Sequence, residues 1–102
     1  MLLHVTAVHS PDNCPAYHQE KLTEVMSSLE RREELARQYN IRLHYMASAA
    51  PEHVFYCLLE ADSIPTVSRF LMEVLPVPHD FKLSVVQSVD ELVSTWKPVA
   101  KK

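Results

Sequence analysis

The order of its periodic segments constrains the fold of this chain more than any other feature. Four short stretches either alternate apolar and polar residues or are apolar throughout, which is typical of β-strands. Two longer stretches between them carry apolar residues at helical spacing. The resulting order is β-α-β-β-α-β. The predicted strands cover residues 3–8, 41–46, 54–59 and 81–86.

Capping residues and prolines indicate where the helices begin and end. The first helix is predicted to begin near Asn13 or Cys14, with Pro15 in its first turn, where a missing N–H costs nothing. Asn40 is its natural left-handed terminator in a chain without glycine. Two further helices are predicted: one between the Asp62-Ser63 cap and Pro76, and a short one that a Ser88-Val89-Asp90-Glu91 capping box opens and that runs through Trp96.

This order of elements is typical of ferredoxin-like α+β domains. Right-handed crossovers then set a strand order of 4-1-3-2, with two helices on one face of an antiparallel sheet. The 102 residues suffice for one such domain, 1–102. Alternation predicts that Leu3, Val5, Leu43, Tyr45, Phe81 and Leu83 face the helices, and that the other face carries His4, Thr6, Arg42, His44, Lys82 and Ser84, with Phe55, Cys57 and Leu59 in its middle.

An apolar strip in the middle of an uncovered sheet face predicts a partner. Exposed apolar patches of that kind mark interaction surfaces. A second copy packing sheet to sheet would cover the strip and add burial to a small domain. We therefore expect a homodimer.

Composition excludes several classes of function. The net charge is −3 and the basic residues are scattered, which argues against a nucleic-acid partner. No apolar run approaches the ~20 residues that span a bilayer, and the N-terminus does not resemble a secretory signal. We expect a cytoplasmic protein without a membrane partner, whose two cysteines are thiols or ligands. The absence of glycine argues against the usual phosphate-binding loops.

Four potential metal ligands follow or precede predicted strands. His9 and Cys14 follow the first strand, His53 precedes the third, and His79 precedes the fourth. Because the third and fourth strands run antiparallel to the first, we expect all four side chains at one rim of the sheet. Imidazole and thiolate together suit zinc, nickel or copper better than magnesium or calcium.

Two other interpretations of the same residues stay open. His9 and His53 could hydrogen-bond to turn backbones while Cys14 is a small buried hydrophobe. Alternatively, Cys14 could be a reactive thiol, favoured by the predicted helix N-terminus and disfavoured by nearby Asp12.

The chain resembles small members of the dimeric α/β-barrel group of the ferredoxin-like superfamily. Two turns carry the resemblance: His9 with Cys14-Pro15, and the Ala-Pro-Glu-His turn at residues 50–53. The resemblance covers most of the chain and implies the fold. Its relatives include nickel-binding proteins, isomerases and monooxygenases, so it implies no single chemistry.

Three functions are compatible with these patterns. The first is binding of a transition metal or metal cofactor through His9, Cys14 and His53, with His79 as a possible fourth ligand. The second is a small-molecule enzyme, of isomerase or cofactor-free monooxygenase type, that uses a cavity on the dimer-facing sheet surface. There His4 or His44 would act as general base and Arg42 would stabilise an enolate or carboxylate. The third is a structural or regulatory dimeric module.

Overall fold

The fold is a four-stranded antiparallel sheet with helices packed on one face, as a computed structural model of the chain shows for residues 1–100. This is the predicted ferredoxin-like α+β arrangement. Three single-turn 3-10 segments accompany the regular elements, at Pro11–Asn13, Pro15–Tyr17 and Ala50–Glu52. The strands are β1 (Leu2–Val8), β2 (Arg42–Ala49), β3 (Val54–Glu60) and β4 (Asp80–Val85), and the helices are α1 (Gln19–Glu30), α2 (Arg32–Gln38), α3 (Ile64–Val74) and α4 (Val89–Ala100).

The strand order β2-β3-β1-β4 confirms the predicted topology, read from the other edge of the sheet. Strand β1 is central and pairs antiparallel with both β3 and β4. In this register Val5 lies opposite Cys57 on one side and Leu83 on the other. Directly opposed residues share a face, so the side chains of Leu3, Val5 and their partners all point towards the helices, where Leu3 and Val5 are buried.

Helix α3 supplies much of the apolar layer that covers the sheet. It begins as predicted, because the Ser63 hydroxyl accepts a hydrogen bond from the Thr66 amide at 3.4 Å. Each fully buried aliphatic or aromatic side chain contributes roughly 1.5–3 kcal/mol of transfer free energy. The buried residues of α3 are Val67, Phe70, Leu71 and Val74.

The face assigned to β3 from the sequence is wrong. Cys57 and Leu59 lie in the core beneath the helices, and Phe55 packs against that core from the same face. Burial raises the pKa of the Cys57 thiol to about 12. Alternation then places Tyr56 and Leu58 on the open face. Cys57 therefore does not lie between His4 and His44.

A β-bulge in β2 corrects a second assignment. The register shifts between Leu43 and Tyr45, so that Leu43 lies opposite Leu59 and Tyr45 lies opposite Leu58. His44 is the extra residue, and a bulge of this kind reverses the faces of the residues beyond it. Tyr45 therefore lies on the open face, while Met46 packs against the core.

The first helix begins later than the capping residues suggest. Cys14 lies between two 3-10 turns, and α1 begins only at Gln19. The His18 imidazole donates from Nε2 to the Asp12 carbonyl at 2.7 Å, which ties the ends of this segment together. An argument for a reactive thiol from a helix N-terminus at Cys14 therefore does not apply.

The helical segment also breaks at Arg31, where α2 follows α1. The Ser28 hydroxyl, close before the break, is hydrogen-bonded to the carbonyls of Val25 and Val74. Serine pairs are common at helix kinks because such bonds compete with the helical ladder. Asn40 has φ 55°, which confirms its left-handed conformation.

Helix α4 extends from the rest of the domain and is longer than predicted. It contains no buried residue, although Val89, Val93, Trp96 and Val99 give it an apolar side. The extents of 60 × 29 × 19 Å and the radius of gyration of 16.2 Å exceed the ~13 Å typical of a globular domain of this size. Among the described helices, none has the length and hydropathy needed to cross a membrane.

Candidate functional site

Backbone pairing brings His9 and His53 together. The β1–β3 ladder continues one step past its last pair, because the His9 amide donates to the His53 carbonyl at 3.1 Å. The two imidazole rings meet edge to face with their centroids 5.2 Å apart. The predicted common rim is therefore observed for these two residues.

His53 occupies the left-handed backbone conformation, which is uncommon outside glycine, although asparagine, aspartate and histidine adopt it more often than other residues. Its φ and ψ of 59° and 43° are left-handed, and its amide donates to the Ala50 carbonyl at 3.0 Å to close the 3-10 turn. Such a conformation costs a residue other than glycine about 1–3 kcal/mol, and residues of this kind cluster at functional sites. Asparagine would tolerate this position better than histidine. A histidine at this turn therefore carries a local conformational cost.

Cys14 completes a group of three potential ligands. One ligand atom from each of His9, Cys14 and His53 lies within 4.8 Å of the other two. Cys14 is 9% exposed and His9 is 6% exposed, and the thiol is not in a disulfide. Ligands of a tetrahedral zinc ion at 2.0–2.3 Å are about 3.5 Å apart, so small side-chain rotations would bring these atoms into coordinating distance.

His79 lies behind His9, outside that group of three. Its Nδ1–H donates to the Val77 carbonyl at 2.9 Å, which leaves Nε2 of the neutral ring as an acceptor. His9 Nδ1 lies 3.1 Å from this Nε2 and must therefore be the donor. The result is a directed chain from His9 through His79 to Val77.

Burial favours the neutral form of both imidazoles in this chain. Desolvation lowers the pKa of His9, and His79 and His53 lower it further by charge repulsion. Desolvation also lowers the pKa of His79, against the opposing effect of its bond to Val77. A neutral His9 that donates from Nδ1 has a lone pair on Nε2, which is the form that binds metals.

Two nitrogen atoms at the site are buried without a hydrogen-bond partner among the described residues. They are His9 Nε2 and His53 Nδ1. Buried polar atoms in folded proteins are nearly always paired, and each exception calls for an explanation such as an ion or a catalytic role. Leaving such an atom unpaired costs about 1–3 kcal/mol. Both atoms belong to residues that the sequence singles out as ligands.

Aromatic rings surround the histidines, and sequence patterns gave no signal for this. Phe55 has its ring centroid 6.2 Å from that of His9 and 5.9 Å from that of His79. Phe81 stacks on His79 at 5.7 Å. The far side of His79 borders an apolar groove of about 630 Å³ between α3 and β4. These apolar rings lower the local dielectric on one side of the cluster and so strengthen electrostatic interactions there.

The second predicted constellation lies on the open face of the sheet. His4 Nε2 is hydrogen-bonded to the Tyr45 hydroxyl at 3.0 Å. His44 Nε2 lies 3.3 Å from a carboxylate oxygen of Glu60, the residue that pairs with Arg42. Arg42 and Glu60 border a polar cleft of about 550 Å³. Its neighbours include Met1 and Leu2, at the opposite end of β1 from His9, so the two constellations are separate.

The comparisons with known proteins bear mainly on the fold. No family model and no curated protein sequence matches the chain. Among solved structures, the chain is similar to muconolactone isomerase, known from a crystal structure at 3.3 Å resolution, with a TM-score of 0.55 and 20% sequence identity. The match covers 86% of this chain and 90% of that chain. This likeness supports the ferredoxin-like fold.

The left-handed conformation of His53 predicts how two substitutions change the free energy of unfolding of the metal-free protein, prepared with a chelator. His53→Asn should raise the free energy of unfolding, by up to about 1 kcal/mol, because asparagine tolerates the left-handed region. His53→Ala should be less stable than His53→Asn, since alanine keeps the Cβ clash and lacks a local hydrogen bond. Urea denaturation measures both. Strong destabilisation by His53→Asn would show that the imidazole is there for structural reasons.

Proposed function

We propose that this protein binds a transition metal ion through His9, Cys14 and His53. The observation that carries the proposal is the pair of buried, unpartnered imidazole nitrogens, on His9 and His53, in the residues whose ligand atoms converge with that of Cys14. A metal ion would satisfy both nitrogens and compensate for their burial. Hydrogen bonds to turn backbones, the main structural alternative, leave these two atoms unexplained.

The donor set favours zinc, nickel or copper. Two imidazoles and one thiolate are borderline-to-soft ligands, which these ions prefer over oxygen-only sites. Three protein ligands are typical of metal sites that keep a position for water or substrate. The site would therefore suit binding or polarising a small ligand as well as holding the metal. A reducing cytoplasmic compartment, which we propose from the sequence, would keep Cys14 reduced.

Metal binding should depend on the rim residues and not on the open sheet face. Untagged protein titrated with zinc or cobalt should bind one equivalent, and cobalt should give a thiolate-to-metal absorption band. Cys14→Ser should remove that band, and His53→Asn should weaken zinc affinity at least tenfold, while keeping the folded state.

His4→Ala serves as the matched control, since it removes a histidine of the same strand as His9 from the other constellation. It should bind zinc as the unaltered protein does. A loss of binding in His4→Ala with retention in Cys14→Ser would move the metal to the sheet face. Absence of stoichiometric binding of zinc, nickel or copper would overturn the proposal.

A second candidate function is a small-molecule enzyme of the isomerase type. The likeness to muconolactone isomerase favours this candidate over a protein that only binds metal. The open face offers His4, bonded to Tyr45, as a general base, and Arg42 as a cation that could stabilise an enolate. Arg42 pairs with Glu60, two residues along β3 from Leu58, which is the partner of His4. The rim would serve the same reaction class if the metal polarised a carbonyl.

An assay with muconolactone distinguishes the two places for such chemistry. If the open face is the site, His4→Phe should abolish isomerisation and a chelator should leave it unchanged. If the rim is the site, the chelator and Cys14→Ser should each abolish it. Ultraviolet absorbance follows the substrate. No turnover of muconolactone or of related unsaturated lactones would count against the enzyme candidate.

We also propose a homodimer, on different grounds from those the sequence suggested. Helix α4 exposes an apolar side on which Trp96 is 62% exposed and Val93 is 52% exposed. An isolated helix of this length is marginal in water, so a stable α4 needs a packing surface. A second copy offers one, either its own α4 or the open sheet face with Tyr45, Tyr56 and Leu58.

The single tryptophan of the chain, Trp96, reports on this assembly. Sedimentation at micromolar concentration should show a dimer, and Trp96 fluorescence should shift to longer wavelength on dilution. Val93→Glu should give a monomer, whereas Ser94→Glu, on the opposite side of the same helix, should remain dimeric. A stable monomer in the unaltered protein would refute the dimer.

A further inference from the structure

We propose that His79 is a positioning residue that holds His9 in the Nδ1–H tautomer, so that His9 Nε2 is the ligand atom. This inference deepens the proposed metal-binding function and rests on it. It assigns to His79 a different role from that of a fourth ligand. The juxtaposition that carries it is the chain from His9 Nδ1 through His79 to the Val77 carbonyl.

The direction of this chain is fixed by its last member. A backbone carbonyl only accepts hydrogen bonds, so the 2.9 Å contact requires a proton on His79 Nδ1. The neutral His79 ring then carries a lone pair on Nε2, 3.1 Å from His9 Nδ1. That lone pair places the proton of His9 on Nδ1. The remaining nitrogen, His9 Nε2, is the one that is buried and unpartnered.

Both nitrogens of His79 are occupied by this chain. Direct ligation by His79 would require its ring to give up either the bond to Val77 or the bond to His9. The ring is further held by its stacking on Phe81, at an interplanar angle of 23°. Phe55 contacts the rings of both His79 and His9, so the pair is braced from one side.

A histidine ligand in a metal site commonly donates its second N–H to a carboxylate, a backbone carbonyl or water. Here the imidazole of His79 accepts that hydrogen bond, and its own bond to the Val77 carbonyl fixes which of its nitrogens can accept. Such outer-shell partners fix the tautomer and ring orientation, and their loss typically weakens metal affinity 10–100-fold. The metal site would therefore depend on the position of the loop before β4, which supplies no ligand.

Two variants of His79 separate positioning from packing. His79→Leu keeps an apolar side chain against Phe81 but removes the acceptor for His9. His79→Gln supplies an amide oxygen as acceptor and an amide N–H for Val77. His4→Gln is the matched control, because the His4 ring is also hydrogen-bonded, to the Tyr45 hydroxyl, but lies outside the cluster.

The first readout is the tautomer of His9 in metal-free protein, from long-range proton–nitrogen correlations of the imidazole rings. We expect the Nδ1–H form in the unaltered protein, its loss in His79→Leu and its recovery in His79→Gln. The second readout is zinc affinity by competition with a chelator. It should fall about 10–100-fold in His79→Leu, recover in His79→Gln and stay unchanged in His4→Gln.

The two readouts keep this inference distinguishable from the proposed function. An Nε2–H tautomer of His9 in the unaltered protein overturns the positioning role, whether or not zinc binds. Unchanged zinc affinity in His79→Leu also overturns it. If the tautomer behaves as expected and no protein binds zinc, nickel or copper, the failure belongs to the proposed function.

Discussion

The antiparallel pairing of β1 with β3 is the interaction on which the rest of this structure depends. It forms the centre of the sheet, carries the core residues Leu3 and Val5, and ends with the bond from the His9 amide to the His53 carbonyl. Because that bond continues the ladder past Val8, the two histidines are held by backbone geometry rather than by their own side chains. The candidate site is thus an extension of the central strand pair of the sheet. A site built on such a ladder is better ordered than one built on loops alone.

The fold was largely predictable because independent sequence signals, namely strand alternation, helix capping and turn residues, indicate the same arrangement. Alternation in β1, the Ser63 cap of α3 and the left-handed Asn40 all indicate the same topology. The face of β3 was not predictable from periodicity, since Val54 to Leu59 is apolar on both sides. In such a strand only the pairing register decides which residues reach the core. The register places Cys57 opposite Val5, and Cys57 is therefore buried.

The site was partly predictable for a similar reason. Antiparallel topology alone places the end of β1 beside the start of β3, so the proximity of His9 and His53 follows from the element order. The contribution of Cys14 depends on two 3-10 turns where a helix was expected, and no capping rule indicates them. The bulge at His44 likewise has no glycine or proline to mark it. The proposed positioning role of His79 depends on the carbonyl of Val77, whose orientation is set by tertiary structure.

Stability and the proposed metal binding compete at this rim. A glycine-free chain places histidine at a left-handed position, and buries two imidazole nitrogens without partners. Each feature costs free energy in a domain small enough that a few kcal/mol is a large part of its stability. The buried sheet, with Leu3, Val5 and Leu59 at 0–1% exposure, offsets that cost from the adjacent strands. A purely structural turn would not require these two features. Asparagine at residue 53 would relieve the cost of the left-handed conformation, and an apolar residue at position 9 would remove a buried nitrogen without a partner. Two imidazoles and a thiol at the same point are the donor set that the proposed metal site requires.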